Sequence, residues 1–490
     1  MSSEPKTELG GGPSDDEAAG NEAMGNEAMG NEATGNGAAG ILSRPYRWVT
    51  VGMLAMILLT AFEALAVTTV MPTISRELDG GTLYALAFSG PLAIGVVGMV
   101  VAGNWSDRSG PRRAIFAAVF TFAGGLLIAG LAVSMPMLVL GRLISGLGGG
   151  ALTVALFVLV ARVFPERLHP RVFAAFAAAW VIPSLVGPLI AGIVAETVGW
   201  RWVFLGVVVL VLLAMFMVVP VMRGFPSTKA TERWQISRIL WSGLAAAAVL
   251  IASLAGQVNG AFVWVLSIGA VVVAMVALRP LLPPGALRAA AGLPAIILLR
   301  GIVAGAYFAS ETYLPYFFTS QYGLTPALAG LALSVAGLSW AGASWAQGKY
   351  SARISDVASI RVGTLLVLFA ILVALGCSVF AWPAAYAIAG WVFAGAGMGA
   401  MYPRMSVAML RLSAPERQGF NSSALSISDS TGAAVALALT AAVFATLGGG
   451  AAGASAGSLD TVNVLAFTGC FALSGVLALG ALVLSGRARS

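Results

Sequence analysis

Four ionisable side chains lie inside long apolar stretches of the sequence, where charged groups are rare. Glu63, Arg142, Glu311 and Asp429 each stand in a run long enough to span a bilayer, which takes about 20 residues. An ionisable group near the bilayer centre costs at least ~2.5 kcal/mol, so each one requires a partner or a task. Buried carboxylates can carry protons, and a guanidinium beside a carboxylate stabilises its charge.

The first of these carboxylates and the arginine are expected to form an ion pair. Glu63 stands about 10 Å from the outer end of its predicted helix at 1.5 Å per residue, and Arg142 stands at similar depth. The alternative for Glu63, and equally for Glu311, is a buried carboxylate that only fixes helix packing. Asp429 could hold a proton, a cationic ligand or only its hydroxyl neighbours, which are Ser426, Ser428 and Ser430.

Other chemically capable residues are expected to have no part in a site. Arg300 and Arg404 stand near helix ends, so we expect their long stems to carry the charge to the interface. His169 falls in a predicted loop and lacks partners for a metal or a proton relay. Cys377 and Cys470 lie in apolar stretches and are expected to be packed there. We therefore predict no metal site and no catalytic group.

The elements that must position these residues are membrane-spanning helices. The chain is 59% hydrophobic and 10% charged, whereas soluble domains are about 25% charged. This composition predicts an all-α integral membrane protein. Fourteen spans are predicted, as two sets of six around a central pair: 48–70, 83–104, 114–133, 137–163, 171–195 and 201–222; 239–256 and 261–278; 294–318, 326–347, 359–380, 383–409, 419–447 and 458–485.

The distribution of basic residues predicts the orientation of the chain. Lys and Arg concentrate in every second loop, with Arg76 and Arg201 as exceptions, so both termini are expected in the cytoplasm and the protein in the plasma membrane. The same loops account for the net charge of +7 without a nucleic-acid partner. The predicted organisation is a disordered tail (1–43), a six-helix bundle (44–223), a linker with two helices (224–290), a second bundle (291–485) and a short C-terminus (486–490).

The two sets of six helices are copies of one unit. Gly103-Asn-Trp-Ser-Asp-Arg108 returns 245 positions later as Gly348-Lys-Tyr-Ser-Ala-Arg353, and the glycines from Gly141 to Gly150 return at an offset of 249. Glu311 follows Glu63 by 248 positions (311 − 63), so it is expected to approach the same central space from the second bundle. Two pseudo-symmetric bundles of this kind can rock about a site at their interface, which is alternating access.

The segment after the second span resembles the Major Facilitator Superfamily. It reads Gly103-Asn-Trp-Ser-Asp107-Arg108-Ser-Gly110-Pro-Arg112-Arg113, close to the pattern G-x-L-x-D-R-x-G-R-R/K of that family, with Trp105 and Pro111 as departures. The resemblance implies that Gly103, Asp107, Arg108, Gly110 and Arg112 form a cytoplasmic gating loop that latches the two bundles. The alternative is a tight turn whose arginines only anchor the topology.

Two further segments resemble the fourteen-span drug:proton antiporters of that superfamily. Gly187-Pro188-Leu-Ile-Ala191-Gly192 is similar to the G-P-x-x-G-G element of exporters, although glycine packing alone could also explain it. Glu63 stands nine residues before Pro72 (72 − 63), where that branch has an acidic residue, and Arg142 matches the family's arginine in the fourth helix. The resemblance implies that Glu63, Glu311, Asp429 and Arg142 couple protons to transport.

The resemblance implies a proton-driven antiporter that exports small lipophilic or cationic compounds. Its partners would be the bilayer, protons and a small molecule, with the proton gradient as energy source, no cofactor, and a monomer as the expected state. Aromatic residues could line the substrate cavity, or face lipid and neighbouring helices: Trp180, Tyr307, Tyr313, Tyr316, Phe317, Trp340 and Trp391. The alternatives are a symporter or uniporter for a small metabolite or peptide and, more remotely, a membrane receptor or enzyme.

Overall fold

A computed structural model describes residues 40–44, 46–165, 168–223, 234–255, 262–350, 354–414, 417–448 and 464–489 of the chain. Residues 1–39 of the predicted tail, residues 224–233 and 256–261 of the predicted linker and residues 458–463 of the last predicted span lie outside these residues. Fifteen α-helices and no strand occur in the described ranges: α1 Arg47–Glu77, α2 Leu86–Ser109, α3 Pro111–Gly130, α4 Met135–Val163, α5 His169–Ala179, α6 Val181–Thr197, α7 Arg201–Arg223, α8 Ile236–Leu254, α9 Phe262–Leu278, α10 Leu293–Gln321, α11 Pro326–Lys349, α12 Asp356–Phe380, α13 Ala384–Leu412, α14 Gln418–Thr446 and α15 Val464–Leu484.

Twelve of these helices are long and apolar enough to cross a membrane, as counted over the described residues. The other three are α5, α6 and α9. Only Trp180 separates α5 from α6, so the two together make one crossing, and α9 has 17 residues. The result is an all-α membrane protein with two six-helix bundles and two central helices, in agreement with the fourteen predicted crossings.

The predicted single span 171–195 corresponds to two helices that are separated only at Trp180, whose backbone keeps α-helical angles of φ −78° and ψ −23°. α5 ends at Ala179, and α6 begins at Val181 with Pro183 in its first turn. A proline has no N–H to donate, and its ring clashes with the carbonyl four residues earlier, which here is Ala179. The helix therefore breaks just before this position. His169, which was expected in a loop, is the first residue of α5.

The first helix continues seven residues beyond its predicted end at 70 and includes Pro72. Its last residue, Glu77, accepts hydrogen bonds from Trp200 Nε1 at 2.7 Å and Arg201 Nη1 at 2.9 Å, which hold the last turn to the start of α7. Glu63 is consequently 14 residues (77 − 63), or about 21 Å, from that end of the helix. The predicted depth of about 10 Å is therefore wrong, and Glu63 lies near the middle of α1.

The segment predicted as a gating loop is largely helical. α2 runs through Asp107 and Arg108 to Ser109, and α3 begins at Pro111. Gly110 alone connects them, with φ +81°, a backbone conformation that L side chains rarely adopt. Proline suits the first helical position, because the N–H that it lacks would have no acceptor within the helix there. This Gly-Pro pair therefore makes the sharp turn, and the preceding motif residues form the last turns of α2.

Repeat-related glycines make equivalent contacts in the two bundles. In α4, a Cβ on Gly146 would lie 2.4 Å from Pro91 of α2, and one on Gly148 would lie 2.2 Å from Phe122 of α3. Their counterparts Gly395 and Gly397 meet α11 and α12 in the same way, at 2.0 and 2.4 Å. Small residues that let helix backbones approach are typical of membrane bundles. The internal repeat in the sequence thus corresponds to repeated packing.

The two bundles meet along two seams, which are described here by the two faces of the protein. We call the face where α1 begins the basic face, because Arg108, Arg112 and Arg162 stand there, and the opposite one the far face. α6 packs on α11 from Ser184, which meets Gly337, to Gly192, which meets Ala327, and α2 packs on α14 with α8 against both. At the far face, the Tyr84 hydroxyl donates to the Thr312 carbonyl at 3.3 Å. The bundles are therefore in contact at the far face.

Candidate functional site

Glu63 and Arg142 form a buried ion pair between α1 and α4. Arg142 Nη1 contacts Glu63 Oε1, and the two residues are 4% and 7% exposed, in that order. Arg142 Nε also donates to the Ala87 carbonyl of α2 at 3.2 Å. The guanidinium thus contacts a carboxylate and a backbone oxygen at a buried position, and such partners are the condition for keeping a buried pair charged. The structure brings together the two residues that the sequence pairs.

Glu311 lies buried in α10 with a different kind of partner. The hydroxyl of Tyr307, one turn earlier, donates to Glu311 Oε1 at 2.9 Å, and Glu311 is 6% exposed. The ring of Tyr307 stacks on Trp391 of α13, with ring centroids 5.3 Å apart and an interplanar angle of 24°. Among the described residues, Glu311 makes no ion pair. The Tyr307 hydroxyl is therefore the hydrogen-bond partner of Glu311 among the described residues.

The repeat explains this difference between the two carboxylates. Trp391 stands 249 positions after Arg142 (391 − 142), which is the offset of the glycines on the same two helices. The second bundle thus keeps the carboxylate of the first and replaces the arginine by an indole. This substitution is visible in the sequence once Arg142 is aligned with its copy, and sequence reasoning missed it because Trp391 was grouped with the aromatic residues.

A small cavity adjoins Glu311 and is lined by both bundles. Its volume is about 30 Å³, and its lining residues are Leu65, Trp180, Ser184, Tyr307, Phe308, Glu311 and Trp340. This is room for about one water molecule, whereas sites for drug-sized ligands enclose about 300–1,000 Å³. A larger substrate can enter only if the bundles separate. The cavity combines a carboxylate with aromatic faces, which suits a cation.

The predicted aromatic residues divide into two groups. Trp180, Tyr307 and Trp340 line the cavity, and Trp391 lies directly behind Tyr307. The other three pack toward the far face and do not line it: Tyr313 against Phe444, Tyr316 against Phe467 and Phe317 against Phe471, with ring centroids 5.0–5.6 Å apart. Their position follows from α10, which runs ten residues past Glu311 (321 − 311) to Gln321.

Asp429 has partners that the sequence did not predict. Arg300 Nε donates to Asp429 Oδ1 at 2.7 Å, and the Tyr402 hydroxyl donates to the same oxygen at 2.9 Å. The Arg300 guanidinium lies 3.4 Å from the centroid of the Tyr402 ring and donates to the Tyr402 carbonyl at 3.1 Å. The expected snorkelling of Arg300 is therefore wrong, because a carboxylate from α14 and a ring from α13 hold it inside the second bundle.

Arg404 is also held by a partner within the protein. It is 9% exposed, its Nε lies 3.1 Å from Asp356 Oδ1 at the start of α12, and its Nη2 donates to the Ile354 carbonyl. Arg411 contacts the other oxygen of Asp356 at 2.5 Å. The expected extension of Arg404 to the interface is thus replaced by a carboxylate shared between two arginines at the basic face.

The motif at the end of α2 lies beside the start of α8. Arg108 lies over the ring of Trp234, 5.8 Å from its centroid, and Asn104 Oδ1 accepts a hydrogen bond from Gln235 N at 2.9 Å. Gly103 faces Val154 of α4, Gly110 forms the turn, and Arg112 is exposed. The side chain of Asp107 lies outside the described part of the structure.

The exporter-like segment of α6 lies on the seam with α11. A Cβ on Gly192 would lie 2.8 Å from Ala327, and one on Gly330 would lie 2.6 Å from the Pro188 carbonyl. Gly187 faces Phe62 of α1. The segment therefore lets two helices of different bundles approach closely, at a contact that must slide or open when the bundles move.

No cluster of three or more His, Cys, Asp or Glu side chains that could hold a metal ion occurs in the described ranges. The two cysteines are buried and free. The ionisable groups of the site are the three carboxylates with their arginine or tyrosine partners. This arrangement can exchange protons or cations.

Comparison with known proteins identifies the family. The chain is 28% identical over 307 residues to the MFS-type transporter ppz2 of Metarhizium majus, covering 58% of this chain and 52% of that protein. It is 30% identical over 158 residues to Multidrug resistance protein 3 of Bacillus subtilis, covering 32% and 31%. The matches thus span about half or less of these relatives.

Solved structures support the same conclusion for the fold. A POT family transporter in complex with 5-aminolevulinic acid superposes with a TM-score of 0.67 at 16% identity, covering 92% of this chain and 98% of that one. An inward-facing bacterial homolog of the human lysosomal transporter Spinster gives a TM-score of 0.64 at 16% identity, covering 91% and 97%. The model of the Major Facilitator Superfamily matches residues 52–437, most of the chain, and the protein belongs to this superfamily of membrane transporters.

Proposed function

We propose that this transporter, which is not an enzyme, is a proton-coupled antiporter that exports small lipophilic or cationic compounds by alternating access. The observation that carries the proposal is Glu311. It is a buried carboxylate without an ion-pair partner among the described residues, and it borders a cavity lined by both bundles. Energy would come from the proton gradient, with no cofactor.

The charge at Glu311 determines how exchange would work. A charged carboxylate in a buried, apolar site requires a compensating positive charge. A proton can supply it, or a cationic substrate held against the rings of Tyr307 and Trp340 can do so. When the cation binds, the proton leaves, and one positive charge replaces another. Glu63 and Asp429 already have Arg142 and Arg300, so they can exchange protons only when those pairs open.

The seams between the bundles support alternating access. The α6 segment around Pro188 and Gly192 seals the bundles against each other toward the far face, where Tyr84 also reaches α10. Separation of the bundles at this seam would open the cavity to that side. At the basic face, we propose that the motif around Asp107 and Arg108 acts as the gate.

Export is the direction that two observations favour. One is the similarity of the α6 segment to the exporter element, and the other is the partial similarity to a Bacillus subtilis protein named for multidrug resistance. Export of this kind places the protein in the plasma membrane with both termini in the cytoplasm, as the basic loops predict. We propose that it works as a monomer.

The experiment uses the purified full-length protein in liposomes with a trapped pH-sensitive dye. Tetraphenylphosphonium and ethidium serve as probe cations, and wild type is compared with Glu311→Gln. We expect each probe to drive proton movement in the opposite direction, and the variant to lose this flux. Asp79→Asn is the matched control, because Asp79 is an exposed carboxylate outside the helices.

Three outcomes separate the candidates. Opposed fluxes that need Glu311 support antiport. Parallel fluxes of probe and proton would show symport, the alternative for a metabolite or peptide. Probe movement without any proton flux, equally fast in Glu311→Gln, would refute the coupling and leave a uniporter.

A further inference from the structure

Two carboxylates of the second bundle are joined by an unbroken chain of aromatic contacts. The Tyr307 hydroxyl donates to Glu311 Oε1 and the Tyr402 hydroxyl donates to Asp429 Oδ1, both at 2.9 Å. The ring of Trp340 packs edge-on against both tyrosines, with centroids 5.8 Å from Tyr307 and 5.5 Å from Tyr402 and interplanar angles of 90° and 75°. One indole thus contacts both hydrogen-bond donors.

Each tyrosine is fixed on its other sides. Tyr307 stacks on Trp391, and Tyr402 lies under the Arg300 guanidinium, so neither ring can shift freely away from the indole. Both tyrosines are buried, at 2% and 7% exposure. Trp340 differs from them, because it is only partly buried and lines the cavity. A ligand in the cavity therefore meets Trp340 and, through it, both hydroxyl groups.

We propose that Trp340 is a positioning residue that couples the proton occupancy of Glu311 to the Asp429–Arg300 pair through the two tyrosines. Edge-on contacts stabilise both aromatic pairs, and a displacement of the indole changes both contacts at once. A substrate that moves Trp340 therefore alters the hydrogen bond to each carboxylate in one step. The inference rests on the proposed function in that Glu311 must bind a proton.

The other ionisable groups near this series of aromatic contacts either have a partner of opposite charge or do not touch Trp340. α1 packs against α10 and carries Glu63, which Arg142 neutralises. Toward the far face, the groups on or against α10 are five tyrosine or thiol side chains and the exposed Arg76 of α1, which lies near Tyr316, none of them in contact with Trp340 in the described structure: Tyr84, Tyr313, Tyr316, Tyr322 and Cys470. Coupling by direct Coulomb interaction remains the competing explanation, and the experiment separates it.

The perturbation that leaves every formal charge in place is Tyr402→Phe. It removes only the hydroxyl that donates to Asp429. The readout is infrared titration of the full-length protein in lipid nanodiscs, in which the carboxyl band of Glu311 is assigned by its loss in Glu311→Gln. Because each successive pair in the series Tyr402, Trp340, Tyr307 and Glu311 is in contact and contacting residues couple, we expect Tyr402→Phe to change the proton-binding constant of Glu311 by at least about twofold.

The same comparison in a Trp340→Leu background tests the relay. We expect the effect of Tyr402→Phe on Glu311 to disappear there and to persist in part with Trp340→Phe, which keeps an aromatic ring. Trp345→Phe is the matched control, because Trp345 lies on the same helix and is 67% exposed. With this control the effect should be unchanged.

Each contrary result has one meaning. An effect of Tyr402→Phe that is equal with and without Trp340 would show coupling by another route and overturn the inference. An absent effect of Tyr402→Phe in the protein that keeps Trp340 would overturn it as well. A Glu311 band that never titrates would overturn both this inference and the proposed function, whereas a titrating band that is insensitive to Tyr402→Phe would leave the proposed function in place.

Discussion

Removal of one partner from the Glu63–Arg142 pair should strongly destabilise the protein, and removal of both should not. The residues are 7% and 4% exposed, so neither charge can turn to water. An unpaired charge at a buried site costs about 3–5 kcal/mol. Arg142→Met also removes the hydrogen bond to Ala87, which contributes about 1 kcal/mol. Glu63→Gln should cost about 3–5 kcal/mol, and Arg142→Met slightly more.

The double variant Glu63→Gln/Arg142→Met distinguishes pairing from packing. It contains no uncompensated charge, so its free energy of unfolding should lie within about 1–2 kcal/mol of wild type, since a buried pair replaced by neutral groups is often near neutral. The assay is reversible unfolding in mixed micelles with increasing SDS, followed by circular dichroism. The same cycle on Glu77 and Arg201, which are 47% and 39% exposed, should give a coupling of at most about 1 kcal/mol. Additive losses at Glu63 and Arg142 would refute the reasoning.

Four further changes test other parts of the structure. Gly337→Val should lower the transport rate at least about tenfold, because its Cβ would lie 2.2 Å from the Ser184 carbonyl across the α6–α11 seam, whereas Gly342→Val, with nothing within 4 Å, should not. Trp391→Arg should abolish probe-driven proton release while gel filtration gives the same elution profile as wild type, because it places the repeat's arginine beside Glu311. Gly110→Ala should destabilise the protein by about 1–3 kcal/mol in SDS titration, because φ is +81° there. Ser253→Val should cost about 1–3 kcal/mol in the same assay by leaving the Ser89 hydroxyl of α2 without its 2.7 Å partner.

Much of the fold could be predicted because apolar length and repetition are properties of the sequence itself. The limits of α4, α8, α9 and α10 lie within three residues of the predicted spans. Helix ends fixed by tertiary contacts were not predictable: α1 continues to Glu77 because Trp200 and Arg201, more than 120 residues later, bind its last carboxylate. The break at Trp180 was predictable in principle, since Pro183 follows it.

The site was predictable only where the two bundles resemble each other. The repeat offset predicted, from the position of Glu63, that Glu311 approaches the same central space. The Arg300–Asp429 pair has no such counterpart, because the positions 245–250 residues earlier, 50–55 and 179–184, contain no charged residue. Its partners are 129 residues apart and meet only when α10 packs on α14. Arg404 and Asp356 are a similar case at the basic face.

The two bundles share one repeat but differ in whether an arginine neutralises each carboxylate of the site. Each of two carboxylates, the buried Glu63 and the partly buried Asp429, is neutralised by an arginine from a neighbouring helix. Only Glu311 lacks one among the described residues, because Trp391 stands where the first bundle has Arg142. Under the proposed mechanism, such a transporter would hold one exchangeable positive charge at its centre, so we expect one monovalent cation to displace one proton per cycle. A measured ratio near two protons per cation would require a second pair to open, and Asp429, whose side chain is 26% exposed against 9% for Glu63, is the more accessible of the two.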